Sequence, residues 1–146
     1  MKVGIAGLGN MGRAMAERLE EEGVSLVVWN RSAGKTKGLD AEVAGTPAEL
    51  VGKADIVLSV LANDAATDAV YFGPGGYLEG PLEGKLIVEF CTQSPQRSKA
   101  LAKAVTEAGG AYLECPVGGT VAPARAASTA ALPMASRRSS SRPGSG

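Results

Sequence analysis

Val3-Gly4-Ile5-Ala6-Gly7-Leu8-Gly9-Asn10-Met11-Gly12 is the stretch that decides the fold. Residues 2–6 have the apolar character of a buried strand, and Met11, Met15 and Leu19 recur at helical spacing after it. The glycines form a G-x-G-x-x-G pattern, which is typical of a dinucleotide-binding turn when it lies between a strand and a helix. The sequence therefore predicts a strand, a glycine turn, and a helix that runs to about residue 22.

Each of the three glycines has its own physical role in such a turn. Gly7 permits the tight turn, Gly9 lets the backbone come close to a pyrophosphate, and Gly12 lets the helix pack closely on the strand. The N-terminus of the helix offers unpaired N–H groups and a partial positive charge to phosphates. A purely structural glycine turn without a ligand is the alternative.

Five more apolar runs follow, separated by polar or helical segments. The predicted strands are residues 24–29, 42–44, 55–61, 86–89 and 111–114. Helices are predicted to start at Thr46-Pro47, at Asn63 or Asp64, and at Ser94-Pro95, because these residue types suit a helix N-terminus. Residues 73–84 are predicted as a loop. The alternation predicts a doubly wound parallel sheet, the Rossmann α/β fold, with ligand at the C-terminal ends of the strands.

The net charge and the residue types of the chain limit the partners and sites that it can have. At 146 residues the chain is the size of one domain, and its 15 Lys and Arg balance its 15 Asp and Glu. Residues 1–120 carry a net charge of −4, and residues 121–146 carry a net charge of +4. An acidic body argues against nucleic acid as a partner. The sequence contains no histidine, which excludes Ser-His-Asp and Cys-His nucleophile systems and His-based zinc sites, so no metal is expected.

The cysteines and the N-terminus indicate the compartment. Cys91 and Cys115 form no disulfide framework and fit a reducing cytoplasm. The first predicted strand begins at residue 2, which leaves no room for a signal peptide, and no apolar run is long enough to span a bilayer. We expect a cytoplasmic protein that acts on a small-molecule substrate and has no membrane partner.

Asn30-Arg31-Ser32 ends the second predicted strand, about 20 residues after the glycines. A NAD-specific domain has an Asp or Glu at this place, which binds the ribose 2′-hydroxyl. Here no carboxylate remains to repel a 2′-phosphate, Arg31 offers a guanidinium to bind it, and Lys35 lies nearby. The expected cofactor is NADP, with NAD less favoured, and the expected contacts are Asn30, Arg31, Ser32 and Lys35. A solvated loop charge is the alternative reading of Arg31.

Three further polar segments follow predicted strands at the edge where ligand is expected. They are Leu61-Ala62-Asn63-Asp64, Cys91-Thr92-Gln93-Ser94-Pro95 and Cys115-Pro116-Val117-Gly118-Gly119-Thr120. The first would line the cleft, the second would bring a hydroxyl near the nicotinamide, and the third would bring N–H groups and a hydroxyl near the substrate. A polar loop with a helix cap explains each segment equally well.

These motifs also occur together in a recognisable order. Gly7 to Gly12, Asn30-Arg31-Ser32, Leu61 to Asp64, Thr92-x-x-Pro95 and Pro116 to Thr120 follow one another along the chain. From residue 1 to about residue 125, this order resembles the β-hydroxyacid dehydrogenases. That family includes 3-hydroxyisobutyrate dehydrogenase, tartronate semialdehyde reductase, glyoxylate/succinic semialdehyde reductases and the cofactor domain of 6-phosphogluconate dehydrogenase. The resemblance implies NAD(P)-dependent oxidation of a β-hydroxyacid or reduction of the matching semialdehyde.

The resemblance also implies site residues. The implied cofactor contacts are Gly7, Leu8, Gly9, Asn10, Met11, Gly12, Arg31, Leu61, Ala62, Ala66 and Thr92. The implied substrate contacts are Gly118, Gly119 and Thr120. The family often has Ser where this chain has Gly118, and Thr120 is the candidate replacement for that hydroxyl. Members of the family oligomerise, but the helical domain that they carry is missing from this sequence.

The sequence departs from the family after Arg125. Residues 126–146 are predicted to be a low-complexity, disordered tail, because their polar end has little apolar surface to bury. The long central helix, the catalytic lysine and the all-helical second domain of the family have no counterpart here, and a frameshift or truncation is the simplest explanation. We expect residues 1–125 to form an NADP-binding domain whose catalytic residues are unknown and which is not competent alone.

Two other functions stay open at this point. One is a binding-only Rossmann domain without turnover. The other is a fragment of an imine reductase, which shares the architecture and whose proton-donating residue would lie in the missing part.

Overall fold

Six short apolar runs form the strands of one sheet in the structure, a computed structural model that describes residues 1–115. The strands are β1 (Lys2–Ala6), β2 (Ser25–Trp29), β3 (Glu42–Val43), β4 (Ile56–Ser59), β5 (Leu86–Glu89) and β6 (Ala111–Glu114). The helices are α1 (Asn10–Glu21), α2 (Pro47–Lys53), α3 (Asp64–Phe72) and α4 (Pro95–Glu107), and two short 3₁₀ helices span Ala33–Thr36 and Tyr77–Glu79. Strands and helices alternate along the chain as predicted.

The sheet is parallel throughout and has the strand order β3-β2-β1-β4-β5-β6. β1 lies in the centre, where Ala6 pairs with Trp29 of β2 on one side and with Ser59 of β4 on the other. The strand order reverses between β1 and β4, and ligands bind at such a switch point in doubly wound sheets. The prediction of a Rossmann α/β fold is confirmed.

Both faces of the sheet are covered, so the inner strands are apolar on both sides. Val27 and Val28 are neighbours on β2 and belong to the cores on opposite faces, yet both are fully buried. α2, α3 and α4 cover one face, with Leu50 and Leu101 among the buried residues, and α1 covers the other face through Met15. Each fully buried aliphatic side chain of this kind contributes roughly 1.5–3 kcal/mol to folding.

Local sequence sets the ends of the helices. Thr46, Asn63 and Ser94 cap α2, α3 and α4, because each side-chain oxygen accepts a hydrogen bond from the backbone N–H three residues later, at 2.8 to 3.3 Å. Of the two predicted caps for α3, Asn63 is therefore the cap and Asp64 is the first helical residue. Gly23, with a φ of +80°, follows the end of α1 as predicted.

The predicted ends of β2 and β3 are off by one residue, and two predictions differ from the structure by more than that. β4 ends at Ser59 rather than at residue 61, because the chain beyond Ser59 turns to line a cleft. The predicted loop 73–84 contains the 3₁₀ helix Tyr77–Glu79, and Tyr77 is fully buried with its ring edge-on to Tyr71 at a centroid distance of 4.8 Å. An apolar ring with one hydroxyl can be buried when that hydroxyl finds a partner, which a pattern of Gly and Pro does not reveal.

Part of the prediction cannot be compared with the structure. The predicted tail, residues 126–146, lies outside the described residues. Within residues 1–115, no helix combines the length and the apolar character that crossing a bilayer requires.

Candidate cofactor site

Gly7 and Gly12 are required by the packing of the protein itself. Gly7 has a φ of +98°, and a Cβ on it would lie 2.0 Å from the carbonyl oxygen of Val60. A Cβ on Gly12 would lie 1.9 Å from the carbonyl oxygen of Gly7. Real Cβ atoms essentially never come closer than 3.0 Å to such an atom, so only glycine allows this strand, turn and helix to pack together.

At Gly9, neither the backbone conformation nor the packing of residues 1–115 requires a glycine. Its backbone is extended, with a φ of −71° that any residue adopts, and a Cβ on it would meet no atom of residues 1–115 within 4 Å. A glycine that neither the backbone nor the packing requires leaves open space next to its backbone. That space fits the close approach of a pyrophosphate at the second glycine of a dinucleotide-binding turn.

The N-terminus of α1 is left without a side-chain cap. Gly9 is its N-cap residue and makes no side-chain hydrogen bond, whereas Thr46, Asn63 and Ser94 cap the other three α-helices of residues 1–115. The first N–H groups of a helix have no partner within the helix, and together they carry a partial positive charge. The end of α1 at the glycine turn is therefore free to bind an anion.

A cleft of about 820 Å³ opens at the switch point beside this turn. It is lined by Gly7, Leu8, Gly9, Asn10, Met11, Gly12, Trp29, Asn30, Arg31, Lys35, Val60, Leu61, Ala62, Asn63, Ala65, Ala66, Ala69 and Val70. Arg31 and Lys35 are the only charged residues among them, and no carboxylate of residues 1–115 lines the cleft. A long cleft with two cations, an uncapped helix end and otherwise mostly apolar walls suits a large anionic ligand with aromatic or apolar parts.

Asn30 fixes the glycine turn to the end of β2. Its Oδ1 accepts a hydrogen bond of 2.7 Å from the backbone N–H of Leu8, and its Nδ2 donates to the carbonyl oxygen of Ser32 at 3.0 Å. The sequence suggested only that Asn30 takes the place of a carboxylate and contacts the cofactor. In the structure its carboxamide positions the turn before it and the loop after it, and its contact with cofactor stays a prediction.

Arg13 is a functional candidate that the sequence reasoning missed. Its guanidinium donates to the carbonyl oxygens of Lys35 and Lys37 at 2.8 and 2.7 Å, and its Nε pairs with Glu17 at 3.1 Å. Arg13 therefore ties α1 to the loop that carries Arg31. The only signal in the sequence is a basic residue directly after Gly12, and the carbonyl partners 22 and 24 residues away leave no trace in the sequence.

Most of the predicted cofactor residues meet in this cleft. Those that line it are Gly7, Leu8, Gly9, Asn10, Met11, Gly12, Asn30, Arg31, Lys35, Leu61, Ala62 and Ala66. Ser32 and Thr92 are exposed and do not line it, so a contact of either residue with ligand stays a prediction. The predicted substrate contacts Gly118, Gly119 and Thr120 lie outside the described residues.

Several apolar residues of the cleft were not among the predicted contacts. They are Trp29, Val60, Ala65, Ala69 and Val70. Ala65, Ala66 and Ala69 lie on one face of α3, and their spacing of one and four residues is a helical signal that the sequence does contain. Small side chains on this face leave the room that the cleft occupies.

A buried polar network lies below the end of β5. Glu89 is fully buried, accepts a hydrogen bond of 2.8 Å from the hydroxyl of Tyr71, and accepts one of 3.2 Å from the backbone N–H of Cys91. The hydroxyl of Tyr77 donates to Ser59 at 3.0 Å. Burial raises the pKa of Glu89 above its usual range and is also the main cause of the raised pKa values of Tyr71 and Tyr77. These hydrogen bonds connect α3 to β5 and the 3₁₀ helix Tyr77–Glu79 to β4.

Among residues 1–115, the titratable side chains that line the cleft are those of Arg31 and Lys35, and both belong to the segment that follows β2. Cys91, at the end of β5, donates its thiol hydrogen to the carbonyl oxygen of Leu61, and burial together with Glu89 raises its thiol pKa to about 11. The described residues of the cleft therefore suit the binding of a dinucleotide.

Comparison with known proteins decides the family. A family model that describes the NAD-binding domain of 6-phosphogluconate dehydrogenase matches residues 2–142. Glyoxylate/succinic semialdehyde reductase 1 of Arabidopsis thaliana is 37% identical over 127 residues, which cover 85% of this chain. The chain belongs to the β-hydroxyacid dehydrogenase family. The match to the family model extends past residue 125, and the domain boundary placed there stays a prediction.

Solved structures of other proteins share this fold. The structure of Psf3 in complex with NADP⁺ and 2-OPP superposes with a TM-score of 0.77 at 32% identity, covering 85% of this chain and 45% of that one. A Streptomyces aurantiacus imine reductase superposes with a TM-score of 0.69 at 31% identity, covering 78% and 40%. The chain spans 44% of the Arabidopsis reductase. It therefore carries the nicotinamide-dinucleotide-binding domain of the family and less than half the length of these relatives.

Proposed function

We propose that this β-hydroxyacid dehydrogenase domain binds NADP(H) in preference to NAD(H). The observation that supports the proposal is the charge of the cleft: among the described residues, Arg31 and Lys35 line it and no carboxylate does. Asn30, which stands where a NAD-specific domain has Asp or Glu, is engaged by Leu8 and Ser32 and carries no charge. A carboxylate would repel a 2′-phosphate, whereas a guanidinium binds it with charge-assisted hydrogen bonds.

The residues present fit the whole dinucleotide. The open space at Gly9 and the uncapped N-terminus of α1 would hold the pyrophosphate. Arg31 and Lys35 would hold the 2′-phosphate, and the apolar wall formed by Leu61, Ala62 and α3 would face the rings. When bound, the nicotinamide supplies a hydride donor or acceptor.

We propose a β-hydroxyacid or the matching semialdehyde as the substrate of the enzyme to which this domain belongs. The Arabidopsis relative is named for glyoxylate and succinic semialdehyde, which supports this class. Removal of a hydride from a hydroxyl-bearing carbon also requires a base for the hydroxyl proton, and the reverse reaction requires an acid. The residues lining the cleft supply neither, so the 146-residue chain is expected to bind cofactor without efficient turnover.

Imine reduction is a second candidate, favoured by the structural similarity to the Streptomyces imine reductase. Prolonged incubation of the chain with NADPH and either a semialdehyde or an imine, followed by mass spectrometry, separates the two candidates. An alcohol formed from the semialdehyde supports the first, and an amine formed from the imine supports the second.

Fluorescence titration tests the cofactor preference. Trp29 is the only tryptophan of the chain and lines the cleft, so its emission reports binding directly. The chain should bind NADPH about tenfold more tightly than NADH, the low end for a charge-assisted contact because Arg31 is exposed. Arg31→Asp should reverse the preference. Lys37→Asp is the matched control, because it makes the same charge change on the same loop at a residue that does not line the cleft. Equal affinities of the unmodified chain for NADPH and NADH would refute the assignment.

A further inference from the structure

The loop of residues 31–38, which carries Arg31 and Lys35, is hydrogen-bonded near both ends to residues next to the cleft. At its start, Asn30 donates to the carbonyl oxygen of Ser32 at 3.0 Å. At its end, Arg13 donates to the carbonyl oxygens of Lys35 and Lys37 at 2.8 and 2.7 Å. Arg13 lies one residue after Gly12, in the first turn of the helix whose N-terminus faces the cleft.

The shape of the guanidinium suits this contact. Nη1 and Nη2 reach two carbonyl oxygens that are two residues apart, while Nε pairs with Glu17 at 3.1 Å. A planar fork with five donors can satisfy three such acceptors at once, and a lysine ammonium on a flexible stem cannot reproduce that geometry. Gly38, with a φ of +85°, leaves room for the fork, because a Cβ there would lie 3.0 Å from Nη2.

The two hydrogen bonds from Arg13 are shorter than the backbone hydrogen bonds within the loop. The loop's own backbone hydrogen bonds, from Lys35 N–H to Ser32, from Lys37 N–H to Gly34 and from Leu39 N–H to Thr36, measure 3.1 to 3.4 Å. The side chains of Arg31, Lys35 and Lys37 are exposed, so side-chain burial does not fix the loop at these positions. A binding group on a loop that must be ordered by the ligand loses affinity to that ordering, and a group on a preordered loop does not.

We propose that Arg13 is a positioning residue for recognition of the cofactor 2′-phosphate. It does not line the cleft, and it acts by holding the loop so that Arg31 and Lys35 are in place before the ligand arrives. This inference rests on the proposed preference for NADP(H). It predicts that loss of the fork weakens the binding of ligands that carry a 2′-phosphate and spares those that lack it.

The test compares three variants of the full 146-residue chain by Trp29 fluorescence. Arg13→Gln should weaken NADPH binding about tenfold, the size of one lost charge-assisted contact, and NADH binding by less than about twofold. Arg13→Lys should give nearly the same loss as Arg13→Gln, because it restores the charge and not the fork. Arg18→Gln is the matched control: Arg18 also pairs with a glutamate one turn on, Glu22 at 3.2 Å, and should change neither affinity.

A variant without the two basic side chains of the loop shows whether Arg13 acts through Arg31 and Lys35. In a chain that carries Arg31→Ala and Lys35→Ala, Arg13→Gln should cause no further loss of NADPH affinity. A further tenfold loss there would overturn the inference. So would an equal loss of NADPH and NADH affinity, which marks a structural role, and so would full affinity in Arg13→Lys, which marks a long-range effect of charge.

The remaining outcomes separate this inference from the proposed function. If the unmodified chain shows no preference for NADPH, the proposed function fails and the inference fails with it. If the preference is present and Arg13→Gln leaves it unchanged, the inference alone fails. Thermal unfolding accompanies each titration, and loss of the folded state in both Arg13 variants would also overturn the inference, because Arg13 would then be needed for folding rather than for recognition.

Discussion

Alanine at Gly9 and alanine at Gly12 should have opposite effects on folding and binding. Both glycines belong to the same motif, three residues apart, yet they have different roles in the structure. Gly12 is required by the contact between α1 and the glycine turn, and Gly9 borders open space. Gly12→Ala is therefore expected to damage the fold, and Gly9→Ala is expected to damage only the site.

The magnitudes follow from the geometry. A Cβ on Gly12 lies 1.9 Å from the carbonyl oxygen of Gly7, so α1 must move by about 1 Å to reach the 3.0 Å that such contacts keep. Overpacking of this kind costs about 1–3 kcal/mol, and the better helix propensity of alanine returns at most about 1 kcal/mol. At Gly9, the smaller entropy of the unfolded chain stabilises by about 0.4–1 kcal/mol, and loss of a favourable N-cap residue costs a similar amount. The net change in the free energy of unfolding for Gly9→Ala is then within about 1 kcal/mol of zero.

Urea denaturation and NADPH titration of the two variants test this reasoning. Gly9→Ala should unfold at nearly the same urea concentration as the unmodified chain and bind NADPH at least about tenfold more weakly, because its methyl group fills the space beside the turn. Undiminished NADPH affinity in Gly9→Ala would refute the assignment of that space to the cofactor. A loss of stability in Gly9→Ala as large as that in Gly12→Ala would refute the distinction between the two glycines.

Three further predictions concern catalysis and stability. With NADP⁺ and a panel of β-hydroxyacids, the chain should turn over far more slowly than the ~1–10³ per second of ordinary enzymes, and a rate in that range would reveal a proton donor outside the cleft described above. Burial raises the pKa of Glu89, so its stabilising contribution is present below the ordinary value of 4.5 and is lost as the pH rises through the raised value. The urea midpoint of Glu89→Gln should therefore fall less with increasing pH than that of the unmodified chain. Identical dependence of the two midpoints on pH would contradict this. Asn30→Ala should lower the free energy of unfolding by about 1–2 kcal/mol, because the N–H of Leu8 loses its partner. Ser32→Ala should leave the free energy of unfolding unchanged, since Ser32 contributes only its carbonyl oxygen to its contact with Asn30. Equal urea midpoints for the two variants would count against the role of Asn30.

Local signals predicted the framework well. β5 and β6 have the predicted bounds residue for residue, because each apolar run is preceded by a glycine turn, with Gly84 and Gly109 at positive φ. The caps Thr46 and Ser94 were also predictable, since a cap and its helix are neighbours in the sequence. Both kinds of signal depend on residues within one turn of each other, and a sequence displays these directly.

The contacts that complete the site were not predictable in this way. Asn30 and Leu8 are 22 residues apart, and the carboxamide of Asn30 gives no sign of whether it faces a ligand or the backbone. Glu89 at the end of an apolar strand suggests a solvated strand end, yet it is fully buried because the hydroxyl of Tyr71 reaches it from α3. Thr92, in the segment predicted to bring a hydroxyl near the nicotinamide, is exposed and does not line the cleft, and its contact with cofactor stays a prediction.

The central position of β1 has a consequence for how the domain unfolds. Residues up to Val43 supply the strands β3, β2 and β1, later residues supply β4, β5 and β6, and the two halves of the sheet pair along a seam from Val3–Ile56 to Ala6–Ser59. The cleft straddles that seam, with the glycine turn on one side and residues 60–62 on the other. A ligand in the cleft then stabilises the pairing of the two halves, because it binds only when both are folded and in place. Amide hydrogens of β1 and β4 should consequently slow their exchange together when NADPH is added, while those of the outer strand β3 change least.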